Sequence, residues 1–173
     1  MTLASELVGR AREIAPLVAR EAQNTDRNGH VSDAVIKAFA DAELFQILVP
    51  RRFGGHELTY ETMAGVIRAI SPACTSTAWV MSFYIGHNYI HALFPEESQK
   101  EVFANRPFAL TPGAVAPSFT LTPVAGGYRA SGRSAWNSGS AHSDWFMGNG
   151  VVQAEGQPGG MRLFLVPADE ATL

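Results

Sequence analysis

Between Tyr128 and Phe146 the chain reads YRASGRSAWNSGSAHSDWF, small polar residues set between aromatic rings. Ser138 and Ser140 carry hydroxyls that donate one hydrogen bond and accept others, which suits contact with a ligand heteroatom. Gly139 lies between them and, lacking a Cβ, lets a backbone approach closely. Trp136 and Asn137 come just before and Trp145 just after, so this corner suits a flat ligand with polar edges at a strand end. The same residues also read as a hairpin or loop with buried aromatics, and the stretch alone leaves both readings open.

A second group lies in TSTAWVMSFYIGHNYIHAL, from Thr75 to Leu93. Trp79, Phe83 and Tyr84 are rings suited to an aromatic pocket, with Ser82 and His87 as polar groups in that wall. Buried polar groups need partners, so His87 reads either as a satisfied core histidine or as a contact to a ligand oxygen. His87 and His91 have the i, i+4 spacing of a metal pair, but no carboxylate completes an H-E-x-x-H pattern, and no metal is expected.

The elements that must position these groups follow from periodicity. Residues 3 to 25 read as a helix with Leu3, Leu7, Ile14, Leu17 and Val18 in one stripe, and Pro16 predicts a kink or two shorter helices. Ser32 caps a second helix whose inner face is Val35, Ile36, Phe39 and Ala40. Leu44 to Val49 is an apolar strip too short to assign. Pro50-Arg51-Arg52-Phe53-Gly54-Gly55 reads as a shaped turn. Thr59 caps a helix over 60–70, with Met63, Val66, Ile67 and Ile70 inward. The 75–93 stretch is apolar nearly all round, the pattern of a helix buried by other protein. Pro95-Glu96-Glu97 opens a short helix, proline in its first turn and acids at the positive end of its dipole.

From Phe108 the pattern changes to strands. Phe108 to Thr111 reads as a short strand and Pro112 to Ser118 as a loop. Phe119 to Val124 and Tyr128 to Gly132 read as a hairpin, and Trp145 to Val152 and Met161 to Val166 as two further strands around a turn at 155–160. About six helices then precede about five strands. The fold class is α+β: an all-α domain over 1–107, then an incomplete antiparallel β-barrel or sandwich domain over 108–173.

The chain has 173 residues, net charge -3 and 17% charged residues, with the basic ones scattered. That excludes the basic stripe of a nucleic-acid binder or a polybasic membrane surface. Its single cysteine, Cys74, excludes an internal disulfide framework. The start shows early charges at helical spacing, unlike a secretory signal, and the most apolar stretch, Ala78 to Gly86, is far short of a membrane span. A cytoplasmic protein is expected.

Several features in order resemble the acyl-CoA dehydrogenase superfamily: Val49-Pro50 with Phe53-Gly54-Gly55 after two helices, the Trp79-bearing helix, Ala109-Leu110-Thr111 before Pro-Gly-Ala, and Gly127-Tyr128 through Ser131-Gly132 to Trp136-Asn137-Ser138-Gly139. Thr111-Pro112 stands where dehydrogenases usually have Thr-Glu-Pro, and Asn137 replaces an apolar residue. Both departures favour the branch of two-component flavin monooxygenases, which hydroxylate aromatic or polycyclic substrates.

That resemblance implies a helical domain, a β-domain and a C-terminal four-helix bundle that drives tetramer formation, with flavin between the last two. It implies Thr111 near the flavin pyrimidine ring, Trp136 flanking the rings, and Ser138 facing N5, with Asn137 and Gly139 beside it. It further implies reduced flavin, FMN ahead of FAD, supplied by a separate flavin reductase and reacting with oxygen to a C4a-hydroperoxide. An aromatic substrate would lie against Trp79, Phe83 or Tyr84, with Ser82 or His87 touching a phenol oxygen. The bundle has no counterpart in these 173 residues, so the resemblance implies an N-terminal fragment, half of a split protein or an incompletely represented polypeptide. The family's catalytic base would fall in that bundle, and Glu155 and Asp169 read as ordinary turn and strand-end acids. Two alternatives stay open: an acyl-CoA dehydrogenase, whose long acyl chain the aromatics of 75–93 would obstruct, and a non-catalytic module that assembles with a partner chain.

Overall fold

A computed structural model describes residues 2–153 and 159–171. The chain divides into two units, Met1–Leu110 and Thr111–Leu173.

In the first unit α1 spans Leu3–Asn28 as one helix. Thr2 and Ser5 form a reciprocal cap at its start, and Gly29, left-handed at φ 70°, ends it. Pro16 does not divide the helix as expected. It is exposed, and Leu7, Ala11 and Val18 stay buried on the opposite face, so packing outweighs the lost hydrogen bond. Helix α2 (Asp33–Asp41) buries Val35 and Phe39, and α3 (Tyr60–Ile70) buries Thr62, Val66 and Ile70. Ser32 and Thr59 occupy the N-cap positions, but neither makes a side-chain cap hydrogen bond. Helices α4 (Thr75–His91) and α5 (Glu96–Val102) complete the unit, Pro95 opening α5.

The core gathers around Phe45. Its ring packs 5.7 Å from Phe39, 5.2 Å from Phe108 and edge-on to Tyr84 at 5.9 Å. Phe45 belongs to the strip from Leu44 to Val49, which is buried apart from Gln46 and begins with a 3-10 turn at Leu44–Gln46. The turn after Pro50 is a second 3-10 turn, Arg51–Phe53, closed by the Gly54 N–H donating to the Arg51 carbonyl. Gly54 is left-handed at φ 84°, and a Cβ on Gly55 would lie 2.1 Å from the Val49 carbonyl oxygen. That oxygen already accepts from the Glu57 N–H, so the loop folds back on the buried strip where only glycine fits.

Phe108 to Leu110 is not a strand. These residues are buried without regular structure, and the Asn88 side chain brackets Ala109: its Nδ2 donates to the Ala109 carbonyl (3.2 Å) and its Oδ1 accepts from the Ala109 N–H (2.9 Å).

The second unit is a four-stranded sheet in the order β2-β1-β3-β4: β1 Gly113–Val124, β2 Gly127–Gly132, β3 Trp145–Val152 and β4 Met161–Pro167. The expected loop over 112–118 is therefore mostly strand. Its proline is tolerated because β1 shifts register on both sides of Pro117. The expected antiparallel sheet is mixed. Both hairpin-type pairs, β1–β2 and β3–β4, are antiparallel, whereas β3 lies parallel to β1 after the crossover 133–144. Leu121 and Met147 are buried in it, and Phe119 meets Phe164 edge-on at 5.2 Å. A Cβ on Gly148 would come within 2.7 Å of the Phe164 ring, so the glycine makes room for that pair. The expected turn at 155–160, with Glu155, falls largely outside the described residues; Asp169 is exposed in a 3-10 turn after β4.

Two glycine substitutions should separate space from backbone freedom. Gly9, inside α1, has nothing within 4 Å of an added Cβ, so Gly9→Ala should raise stability by about 0.5–1 kcal/mol. Gly55→Ala should lower it by about 1–3 kcal/mol or more, through overlap with backbone. Urea midpoints of the two variants moving in the same direction would contradict this.

Candidate functional site

The candidate residues fall into one group in each unit. In the first, the α4 stripe Trp79, Phe83 and His87 follows from spacing: each is four residues on, so the rings stack along one face. Trp79 is 58% exposed and meets Phe83 edge-on at 4.9 Å, and Phe83 lies 5.4 Å from the His87 ring. His87 is 8% exposed at the inner end of this row. The stripe thus runs from an open indole to a nearly buried imidazole.

Two expected neighbours stand elsewhere. Tyr84 is fully buried against Phe45, five residues past Trp79 and so on another side of the helix; it belongs to the core, not to an open aromatic wall. Ser82 is half-buried, and its hydroxyl donates to the Trp79 carbonyl at 2.7 Å. In that arrangement the Ser82 oxygen can only accept, so it suits a ligand O–H.

His91 sits one turn beyond His87, fully buried, its ring edge-on to Phe103 at 6.1 Å. Burial first, and then the charge of His87, pushes its pKa down to about 3. A neutral imidazole in an aromatic cage is its resting form. Among the described residues no group of three or more His, Cys, Asp or Glu is placed to hold a metal ion, and no helix is long and apolar enough to cross a membrane.

In the second unit the corner between β2 and β3 has an unusual backbone. Trp136 is left-handed at φ 64°, a conformation that non-glycine residues rarely adopt, and its side chain is 94% exposed. The Ser138 N–H donates back to the Trp136 carbonyl at 3.0 Å, and the Ser140 N–H to the Asn137 carbonyl at 3.1 Å. Gly139 follows at φ 95° and leads into a 3-10 turn over Ser140–His142. These turns present an indole, a half-buried Ser138 and a small backbone together on one loop. The Ser138 hydroxyl has no hydrogen-bonding partner among the described residues. Strained backbone beside an exposed ring is more common at ligand sites than in plain connections.

Thr111, expected beside a flavin ring, is fully buried and has a partner in the fold, so its side chain offers no open surface. A residue that sequence reading passed over is Ser134. Its hydroxyl donates to the Asn137 Oδ1 at 3.3 Å, closing a loop around Trp136. A serine three residues before an asparagine is the available signal, but in so serine-rich a stretch the spacing does not stand out.

Residues 5–106 match the acyl-CoA dehydrogenase N-terminal domain family. The chain is 42% identical to a pigment production hydroxylase from Rhodococcus sp. over 96% of its length and 43% of that protein's. It is 31% identical to the flavin-dependent monooxygenase oxygenase subunit HsaA of Rhodococcus jostii, over 91% of this chain and 41% of that one. The structure of XiaF from Streptomyces sp. in complex with FADH2 and glycerol superposes with a TM-score of 0.92 at 31% identity, covering 98% of this chain and 43% of XiaF. The chain therefore spans less than half the length of each of these proteins.

The buried His91 makes a pH prediction. The unfolded chain protonates this histidine near pH 6.5 and the folded chain only near 3, so its contribution to stability is complete above 6.5 and is lost as pH falls toward 3. The loss should reach about 1.4 kcal/mol per pH unit inside that window. His91→Phe should flatten the slope of urea midpoint against pH; an unchanged slope would remove His91 as its source.

Proposed function

The chain belongs to the acyl-CoA dehydrogenase family, and from that premise we propose that it carries the N-terminal part of an oxygenase component of a two-component, flavin-dependent aromatic hydroxylase. The observation that carries this reading is the 136–139 corner: an almost fully exposed indole on a left-handed backbone, two residues before a serine hydroxyl without a hydrogen-bonding partner among the described residues. That pairing fits an isoalloxazine, whose flat face suits the Trp136 ring and whose N5 edge suits a hydroxyl able to donate or accept. Gly139 and the half-buried Asn137 complete the loop on which such a ring would rest. A reduced flavin, when bound, would supply the activation of molecular oxygen.

The rest falls to the chain's own side chains. Ser138 would orient the ring edge with one hydrogen bond, a neutral contact worth about 0.5–1.5 kcal/mol. Trp79 and Phe83 would hold a flat aromatic substrate against α4. Ser82, its proton already engaged with the Trp79 carbonyl, would accept from a phenolic O–H, and His87 at the inner end of the stripe would meet the same oxygen. The likeness to an oxygenase subunit supports a separate reductase as flavin donor, and the FADH2 in the XiaF structure supports a reduced flavin as cofactor, with FMN the form expected from sequence. Assembly into a tetramer is part of the same proposal.

The test supplies the protein with a flavin reductase, NADH, oxygen and a panel of phenols, and follows oxygen uptake, hydrogen peroxide and hydroxylated product. Product formation from one or more phenols supports the reading; oxygen use with peroxide alone across the panel would remove the hydroxylase assignment. Ser138→Ala should raise the share of oxygen released as peroxide several-fold, about the effect of one lost hydrogen bond; unaltered coupling would take Ser138 out of the reaction. Trp79→Ala should weaken phenol binding more than flavin binding, and equal losses in the two titrations would reduce Trp79 to a packing residue.

A further inference from the structure

We propose that Ser134 is a positioning residue for the flavin-binding corner, holding Trp136 and Ser138 in register through a side-chain clasp to Asn137. The inference rests on the flavin reading above and assigns a role to a residue outside it.

The corner needs such a device. Trp136 is held in the left-handed region, where an aromatic residue is strained unless its surroundings over-determine it. Its side chain is 94% exposed, so packing of the ring does not supply that constraint. What constrains it is the hydrogen bonding on both sides. The Ser134 hydroxyl reaches over Ala135 and Trp136 to the Asn137 side-chain oxygen at 3.3 Å. The Asn137 carbonyl accepts from the Ser140 N–H at 3.1 Å, and the Ser138 N–H donates to the Trp136 carbonyl at 3.0 Å. Asn137 is thus held from its side chain by Ser134 and from its backbone by Ser140. Downstream, the Ser143 hydroxyl donates to the Ser140 carbonyl at 2.9 Å, which fixes the 3-10 turn beyond Gly139.

Ser134 and Asn137 are both half-buried, so water competes less for this bond than at an open surface. Without the hydroxyl, Asn137 loses its side-chain tether and Trp136 can relax toward ordinary backbone angles. The indole and the Ser138 hydroxyl would then no longer be presented together. Ser134 itself touches no ligand in this scheme; it acts through the two residues that do.

The test compares wild type with Ser134→Ala, Ser134→Thr, Asn137→Ala and the Ser134→Ala/Asn137→Ala pair. Anaerobic titration with FADH2 and FMNH2 gives affinity, thermal unfolding gives stability, and the 15N indole resonance of Trp136 reports on the corner without flavin. Ser134→Ala should weaken reduced-flavin binding about fivefold, the effect of one hydrogen bond, and shift the Trp136 resonance. Ser134→Thr, which keeps the hydroxyl, should restore both, and the double variant should bind no worse than the weaker single one. Stability should change little throughout, since the corner adds nothing to either core. Wild-type affinity in Ser134→Ala, failure of threonine to rescue, or additive losses in the double variant would each overturn the clasp. Absence of reduced-flavin binding by the wild type would instead remove the flavin reading, and this inference with it.

Discussion

One buried side-chain amide, Asn88, holds together the least regular parts of the helical unit. The carbonyls of Phe45, Tyr84 and Ala109 all lie within hydrogen-bonding distance of its Nδ2 and share its two hydrogens, while its Oδ1 accepts from the Ala109 N–H. Phe45 lies in the 3-10 strip, Tyr84 one turn earlier on α4, and Ala109 in the segment that leaves the unit. Backbone groups buried away from a helix or ladder are costly unless paired, and Asn88 pairs them where no strand neighbour exists. With that side of α4 committed to the core, the Trp79–Phe83–His87 stripe is the side left available. Ring packing around Phe45 and the open indole of Trp79 are thus consequences of the same helix orientation.

The second unit solves a different problem. Its sheet joins two local antiparallel pairs through a parallel central contact, so the chain must cross from β2 back to β3. The corner lies in that crossover. Small residues there keep the route short, and the hydrogen bonds around Asn137 give it shape without burying it. Gly148 plays the complementary part inside the sheet, where the Phe119–Phe164 pair occupies the space a side chain would take. The rings pack inside the sheet, and its connecting loop carries the exposed groups.

Helix positions were readable from sequence because amphipathic spacing and capping residues act locally. Val35, Phe39, Val66 and Ile70 fall inside as their periodicity implies. Where an outcome depended on distant partners, local pattern misled. Phe108 to Leu110 has the length and apolarity of a strand, yet Ala109 at its centre is hydrogen-bonded through both backbone groups to a side chain on α4. Pro112 to Ser118 has loop composition, yet a register shift admits its proline to β1. Parallel pairing of β1 with β3 leaves no mark in either strand. In α4 the apolar residues run nearly all round, so the spacing could not say that Trp79 faces out while Tyr84 faces in. The serines and tryptophan of the corner could be picked out by type, but the left-handed Trp136 and the Ser134 clasp are properties of the folded backbone.

We propose that the corner at Trp136 to Gly139 receives a reduced flavin ring, and anaerobic calorimetry of the protein with FADH2, FMNH2 and their oxidised forms measures that binding. Saturable binding of a reduced flavin, tighter than its oxidised counterpart and lost when Trp136 is replaced by glycine, is the predicted result. No heat of binding from either reduced flavin, or binding untouched by that replacement, would contradict it.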